Sequence, residues 1–507
     1  MKSSINADAE KLSQEGLSLD ESIIGFFKFI DLAHILKTSA IKCACGYAAH
    51  IIFMVLFILP FVNKNIYREV VKNNDRVVSK DAVYDFMKST SANWMFFLLQ
   101  AAVVLVTFFC SLLSKKRFRV IIFDDTPFKK NRSKFVELLA RCFDHILQTH
   151  FKGFRLLNMA WTDGFSTVPL GFILLSSGNK ENRYQETKKD FDPRSNSAKR
   201  RSDAISTAVS GTLKLFDMVA TVLLGRYDAV VFDSWFAMNS VIENISKKAP
   251  VVCMVKRNNQ LWFKFCGMGT IEKVYRELKN KKRGCANIIG SCIVDLMLGK
   301  CKNATSIKCK IVFVRNRKTH DWIPLLCTNT SFSDQKIIQL YAMRWNIEVF
   351  HHDVKQFLRL EKGCQSTSYD ALTAYVTVVY IQYMFLAYRQ RLKEDKRKMG
   401  IGSLFYACCE EIKQISREEA VLRVCADAIR EGHAATGRMV NGVKLYTQEE
   451  FDAAVFSALA NFQQSAGGSV EITILTLIER QKSIEKLGQS LVARLRAMQN
   501  SEVQLAS

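Results

Sequence analysis

Acidic residues are scarce in this chain of 507: 48 Asp and Glu stand against 72 Lys and Arg, a formal net charge of +24. A surplus of that size argues against an ordinary small-molecule enzyme and for a polyanionic partner, nucleic acid or an anionic membrane. The chain also lacks the paired cysteine spacing of a zinc site. Its 15 cysteines are scattered. Cys43-Ala-Cys45 and Cys408-Cys409 do not have ligand spacing, and Cys110, Cys253, Cys292 and Cys425 sit in apolar runs, as reduced, mostly buried thiols of a cytosolic protein would. No internal repeat, low-complexity tract or clear helix-turn-helix is present, and Met1 to Ser22 is too polar for a signal peptide. The length allows about two to four domains with ample core.

What is present begins with charge. Basic clusters recur at Lys115-Lys-Arg-Phe-Arg119, Lys129-Lys-Asn-Arg-Ser-Lys134, Lys199-Arg-Arg201 and Lys279-Asn-Lys-Lys-Arg283, and together they suggest a long electrostatic track. Two apolar stretches compete as membrane spans. Ala48 to Val62 is short, whereas Trp94 to Leu113 is about long enough and is followed by a basic flank. Only a short run separates the second from an acidic strand end that needs water, so a buried core helix is expected and no membrane partner. Residues 1 to about 115 read as helical, with a Ser79 cap before a short amphipathic stretch.

Strand patterns follow. Arg117 to Pro127 is a β-branched and aromatic run ending in Asp124 and Asp125, and Tyr227 to Trp235 is a second, ending in Asp233. Neighbouring residues on a strand point to opposite faces, so one of Asp124 and Asp125 is expected to enter a site. Leu156 to Leu175 reads as a hairpin with Asp163-Gly164 at its turn, which makes Asp163 turn chemistry. Asn179 to Asp203 is polar and reads as a surface loop or mobile DNA-contacting segment, and Ala204 to Leu224 as helix. Pro250 to Arg257 is a further strand, and the chain from there to about 330 is strand-rich and basic.

A third acid lies in Tyr341-Ala-Met-Arg344-Trp-Asn-Ile-Glu348-Val-Phe-His-His-Asp-Val-Lys355, a stretch without Pro or Gly behind a Ser333-Asp334 helix start. Wound as one helix at ~100° per residue, Tyr341, Arg344, Glu348 and Lys355 share an arc of roughly 60°, opposite an apolar face of Met343, Ile347, Phe350, Val354, Phe357 and Leu358. A carboxylate flanked by two cations and a phenol suits phosphate chemistry. Two strand-end acids and one helix acid can gather around two Mg²⁺ or Mn²⁺ ions for in-line phosphoryl transfer. His351 and His352 adjoin Glu348 without a paired ligand at metal spacing and read as DNA-facing or structural.

These motifs resemble the DDE transposases of the insertion-sequence-four group. The resemblance covers roughly residues 118 to 390 and rests on Phe123-Asp-Asp-Thr126, on Phe232-Asp-Ser-Trp235 and, most specifically, on the Tyr-x2-Arg-x3-Glu-x6-Lys spacing from Tyr341 to Lys355. It implies an α/β fold: an RNase H-like mixed-sheet core with a β-rich insertion, flanked by helical N- and C-terminal regions. The corresponding divisions are 1–115, a helical region for DNA ends; 116–245, the first part of the core; 246–330, the insertion; 331–390, the signature helix; and 391–507, helices for oligomerisation. By similarity, Asp125, Asp233 and Glu348 would bind the metals, with Asp124 the alternative to Asp125, which is preferred for the Asp-Thr pair of family members. Tyr341, Arg344 and Lys355 would hold phosphates of the DNA end. Trp322, in the last strand of the insertion, is a candidate for stacking on a flipped base, against the alternative of a core Trp.

The activity implied is metal-dependent cleavage at the inverted ends of an element and strand transfer into target DNA, by a dimer or larger synaptic assembly in the cytoplasm at the nucleoid. A stand-alone nuclease of the same core, and a DNA-binding or membrane-associated protein with structural acids, are the competing readings.

Overall fold

The computed structural model describes residues 19–413, apart from runs at 72–77, 115, 145–146, 189, 280–287, 300–304, 316–320 and 393–399, together with the backbone of 439–440 and 443–444. The Gly467 break and the last helix expected near Ile472 to Met498 lie outside the described residues, as do Cys425, Lys115 and most of the Lys279–Arg283 cluster. Two compact units result: one drawn from Met1–Phe29, Cys45–Val83 and Leu392–Ser507, the other from Ile30–Ala44 and Tyr84–Arg391.

The described residues from 19 to 112 are largely helical, as their pattern dictates: α1 (Leu19–Phe29), α2 (Leu32–Thr38), α3 (Ala49–Ile58), α4 (Lys80–Lys88) and α5 (Trp94–Leu112). The first unit has an aromatic core. The Phe27 and Phe57 rings meet edge to face at 4.9 Å, and Phe61 lies 5.6 Å from Phe405. In the second unit, α5 is long and apolar enough to cross a membrane by length and composition, yet it packs on a sheet strand and buries Trp94, Phe97, Leu98, Ala101, Ala102, Leu105 and Phe109. The three polar residues interrupting it are all satisfied by protein groups. Gln100 Nε2 donates to Ser39 Oγ at 3.0 Å, Thr107 to the Val103 carbonyl and Ser111 to that of Phe108.

The sheet of the second unit is built from β1 (Val120–Lys129), β2 (Ala140–Asp144), β3 (Thr149–Thr162), β4 (Thr167–Leu175), then, after α6 (Asn196–Ala204) and α7 (Ala208–Ala220), β5 (Ala229–Phe232), α8 (Asn239–Ser246) and β6 (Val251–Met254). The chain continues through β7 (Trp262–Lys264), β8 (Met268–Gly269), α9 (Ile271–Lys279), β9 (Ile288–Met297), β10 (Ser306–Arg315) and β11 (Trp322–Cys327). All of these strands join one mixed sheet of 11, ordered β2-β3-β1-β5-β6-β11-β10-β9-β7-β8, with β4 on the free side of β3. β1, β5 and β6 are parallel, and the remaining pairings are antiparallel. This is a mixed α/β architecture consistent with an RNase H-like core. Every residue of β5 is buried, which explains its unbroken apolar run, the pattern of a central parallel strand. The β-rich stretch after β6 hydrogen-bonds directly onto it, because Cys253 faces Leu326 of β11.

Three expectations are corrected. The signature stretch is not one helix: α10 (Asp334–Ala342) and α11 (Trp345–Gln356) meet at Met343 and Arg344, where the hydrogen bonds tighten to i→i+3, from Met343 N to Leu340 O and from Arg344 N to Tyr341 O. Tighter winding rotates Tyr341 relative to Glu348 from its place on a uniform helix. The polar stretch up to Asp203 is not a loop throughout, since it contains α6, capped by Ser195 Oγ. Nor do Arg200 and Arg201 belong to an electrostatic track. Arg201 forks onto Glu137 (Nε–Oε1 2.9 Å, Nη2–Oε2 2.7 Å) and reaches Asp370, which Arg200 and Ser197 also hold. Asp370 starts α12 (Tyr369–Leu392), where the helix N-terminus favours an anion. That helix is also long and apolar enough to cross a membrane by composition, and its apolar length is fully buried in the protein.

Candidate active site

The parallel register of β1 and β5 decides which acids meet. Phe123 pairs with Phe232, so the next residue on each strand, Asp124 and Asp233, emerges at the same level and on the same face. Asp125 lies one residue beyond that level, lines the same cleft and is ion-paired with Arg155 of β3. α11 packs against β1 and carries Glu348 in its first turn. One guanidinium nitrogen of Arg344 lies 2.7 Å from Glu348 Oε1 and 3.7 Å from Asp124 Oδ2. Tyr341 closes the group. It is hydrogen-bonded to Arg344, and burial pushes its phenol up to about 12.

The electrostatics have the signature of converging acids. Burial first, then the charges of Asp233 and Asp125, hold the Asp124 carboxyl up at about 7, against the Asp125 backbone N–H and Arg344, which pull it down. Asp233 caps a local turn, accepting from the Trp235 N–H at 2.9 Å, and does not cap α8, whose first residue is Asn239. A cleft of about 550 Å³ opens over Asp124, Asp125, Asp233 and Glu348.

The other residues named by the sequence are placed as follows. Lys355 Nζ donates to Thr126 Oγ1 and to the Pro127 carbonyl at 2.7 and 2.6 Å and lies 3.2 Å from Glu361, so it ties α11 to the end of β1, and burial lowers its pKa. Trp322 stands apart on β11. It stacks on Tyr275 at 4.3 Å and carries the Arg257 guanidinium 3.9 Å over its ring, so a base could stack there only if these partners moved. Asp163 is turn chemistry, accepting from the Phe165 and Ser166 N–H groups beside Gly164, whose φ of +85° suits glycine.

A buried support was not foreseen. Asn158, the cross-strand neighbour of Asp124, contacts His351 Nε2 through its amide nitrogen at 2.8 Å and accepts from Tyr380 on α12. Of the two expectations for His351, DNA-facing or structural, the structural one holds; its partners come from distant strands and helices, which no local spacing reveals. Burial, with Lys355 nearby, lowers its pKa to about 3 from the usual 6.5. Below pH 6.5 the unfolded imidazole takes up a proton that the folded one refuses until about pH 3. The associated stability is therefore complete above 6.5 and lost as pH falls through that window, by about 1.4 kcal/mol per unit. From pH 7.5 to 5.0 the wild type should lose about 2 kcal/mol on this account, and His351→Gln correspondingly less. Urea unfolding at both pH values reads the difference, and equal losses would show that the imidazole protonates in the folded state.

Whether these acids suit a divalent ion can be judged from the donors. Carboxylate oxygens are hard ligands, of the kind Mg²⁺ and Mn²⁺ take, and the elevated Asp124 shows a cluster short of positive charge. As the side chains stand, no group of three His, Cys, Asp or Glu among the described residues is arranged around a common ion position. The Arg344 guanidinium reaches both Asp124 and Glu348 and provides the countercharge instead.

A cleft of carboxylates from adjacent strands, under a helix with a fourth acid and an arginine, suits phosphodiester cleavage, and the comparisons agree. The family described as DDE superfamily endonuclease matches residues 69–283, and the Transposase DDE domain matches residues 202–385. The first span holds Asp124 and Asp233, the second Asp233 and Glu348. Together they support a DDE transposase, a nucleic-acid-cleaving and DNA-binding enzyme. No curated protein matches the chain.

Proposed function

We propose that the protein is a cut-and-paste transposase of the insertion-sequence-four kind. It binds the inverted ends of its element as a dimer or larger synaptic assembly, cuts beside them and joins the 3′ ends to target DNA. The observation that carries this reading is the Phe123–Phe232 register, which sets Asp124 beside Asp233 beneath the helix of Glu348. On that ground Asp124, the alternative in the sequence reading, takes the place of Asp125 as the first ligand, with Asp233 and Glu348 as the others. Mg²⁺ or Mn²⁺ held there would activate a water or a 3′-hydroxyl and stabilise the leaving oxygen.

The chain's own groups do the positioning. Arg344, which now pairs with Glu348 and Asp124, is the group whose fork would hold a DNA phosphate. Tyr341 stays protonated at physiological pH, since its pKa is near 12, and donates a hydrogen bond to the same group. Lys355 fixes α11 on β1, so that Glu348 keeps its height over the strand ends.

The test is incubation of the purified protein with labelled DNA carrying the element's ends and an unlabelled target, with and without Mg²⁺. Metal-dependent breaks at the boundary, together with products joined to target, are expected. Breaks without joined products would favour the stand-alone nuclease, and specific binding without breaks would reject catalysis.

A further inference from the structure

Most cations near the acid cleft already face a carboxylate. Arg155 pairs with Asp125, Lys129 with Asp144 at 2.9 Å, Arg344 with Glu348 and Asp124, and Lys355 with Glu361. Lys256 is different. It lines the cleft and has no carboxylate partner among the described residues, although Asp124, Asp233 and Glu348 line the same space. Its ammonium lies 4.6 Å from the centroid of the Trp235 ring, a cation–π distance.

Backbone register explains the placement. Phe232 of β5 pairs with Cys253 of β6. Three residues beyond each partner come Trp235 and Lys256, so the pairing that brings the strand ends level also sets the indole beside the lysine. Trp235 thereby holds the ammonium at the wall of the cleft. A half-buried cation on the wall of an acid site, with no protein anion to neutralise it, is placed to meet a negative group brought by the ligand.

We propose that Lys256 contacts a backbone phosphate of the DNA strand lying in the acid cleft, and that Trp235 is the residue positioning its ammonium. This rests on the transposase reading for the identity of the ligand.

Binding of labelled end DNA in Ca²⁺, as a function of salt, tests it. Lys256→Ala should weaken binding about tenfold at 0.1 M salt and lower the slope of log affinity against log salt by about one. Lys256→Arg should recover most of both, which guards against a folding defect. Trp235→Leu should weaken affinity at an unchanged slope, because the charge stays but its position is lost. Single methylphosphonate replacements then locate the contact: at one phosphate the wild type loses affinity and Lys256→Ala loses nothing further. Additive losses at every phosphate with an unchanged slope would overturn the assignment. Binding without Mg²⁺-dependent cleavage by the wild type would sink the transposase reading alone, since the Lys256 comparison is made on binding.

Discussion

Glu348→Gln is expected to lower Mg²⁺-dependent cleavage by at least about a thousandfold, roughly 4 kcal/mol in the barrier, while end binding stays within about threefold. Glutamine keeps the volume and one carbonyl oxygen but removes the charge that balances a cation. Its loss also frees Arg344, which now sits 2.7 Å from Glu348 Oε1, so binding should not fall. Asp124→Asn belongs in the same class. Asp125→Asn separates the two readings of the first strand: it unpairs Arg155 and should cost no more than about tenfold, because the β1–β5 register sets Asp124, and not Asp125, level with Asp233. Cleavage assayed at equal occupancy of end DNA checks all three. Activity persisting in Glu348→Gln would remove this helix from the chemistry, and a larger loss in Asp125→Asn than in Asp124→Asn would restore Asp125 as the ligand.

The largest effect on stability is expected at Arg201→Ala, a loss of about 3–5 kcal/mol. Arg201, Glu137 and Asp370 are exposed by only 6%, 2% and 2%, and Glu137 and Asp370 accept three of the arginine's contacts. Removing the guanidinium strands Glu137 in the interior with backbone N–H groups of Lys188 and Tyr369 as its remaining donors. Lys247→Ala is the control. Its pair with Glu243 lies on the surface of α8 at i, i+4, and such pairs contribute roughly 0.5 kcal/mol or less. Urea denaturation reads both. A cost for Arg201→Ala close to that of the control would mean that water reaches the network.

Much of this was legible in the chain. The two strands that carry Asp124–Asp125 and Asp233, the Asp163-Gly164 hairpin and the buried helix from Trp94 follow from local patterns, although β1 runs past its acids to Lys129 where a strand end was expected. The register itself had a signal: Val120-Ile-Ile-Phe-Asp124 and Ala229-Val-Val-Phe-Asp233 are the same pattern, and aligning them sets Asp124 level with Asp233. The break at Met343–Arg344 did not show, because both residues keep right-handed helical angles and only the hydrogen bonds shift. Arg200 and Arg201 looked like surface charge because their acids lie at Glu137 and Asp370, far along the chain. Asn158, Lys256 and the support of His351 are likewise properties of strand pairing, which spacing within one segment cannot disclose.

The order of the sheet also sets the order of assembly. β1 and β5 pair although the partners Val120 and Ala229 are 109 positions apart, and Glu348 follows Asp233 by a further 115 positions. At about 5–20 residues per second, the helix acid leaves the ribosome roughly 6–23 s after the second strand acid. A growing chain can therefore close β1 on β5 long before the helix that carries Glu348 has been made.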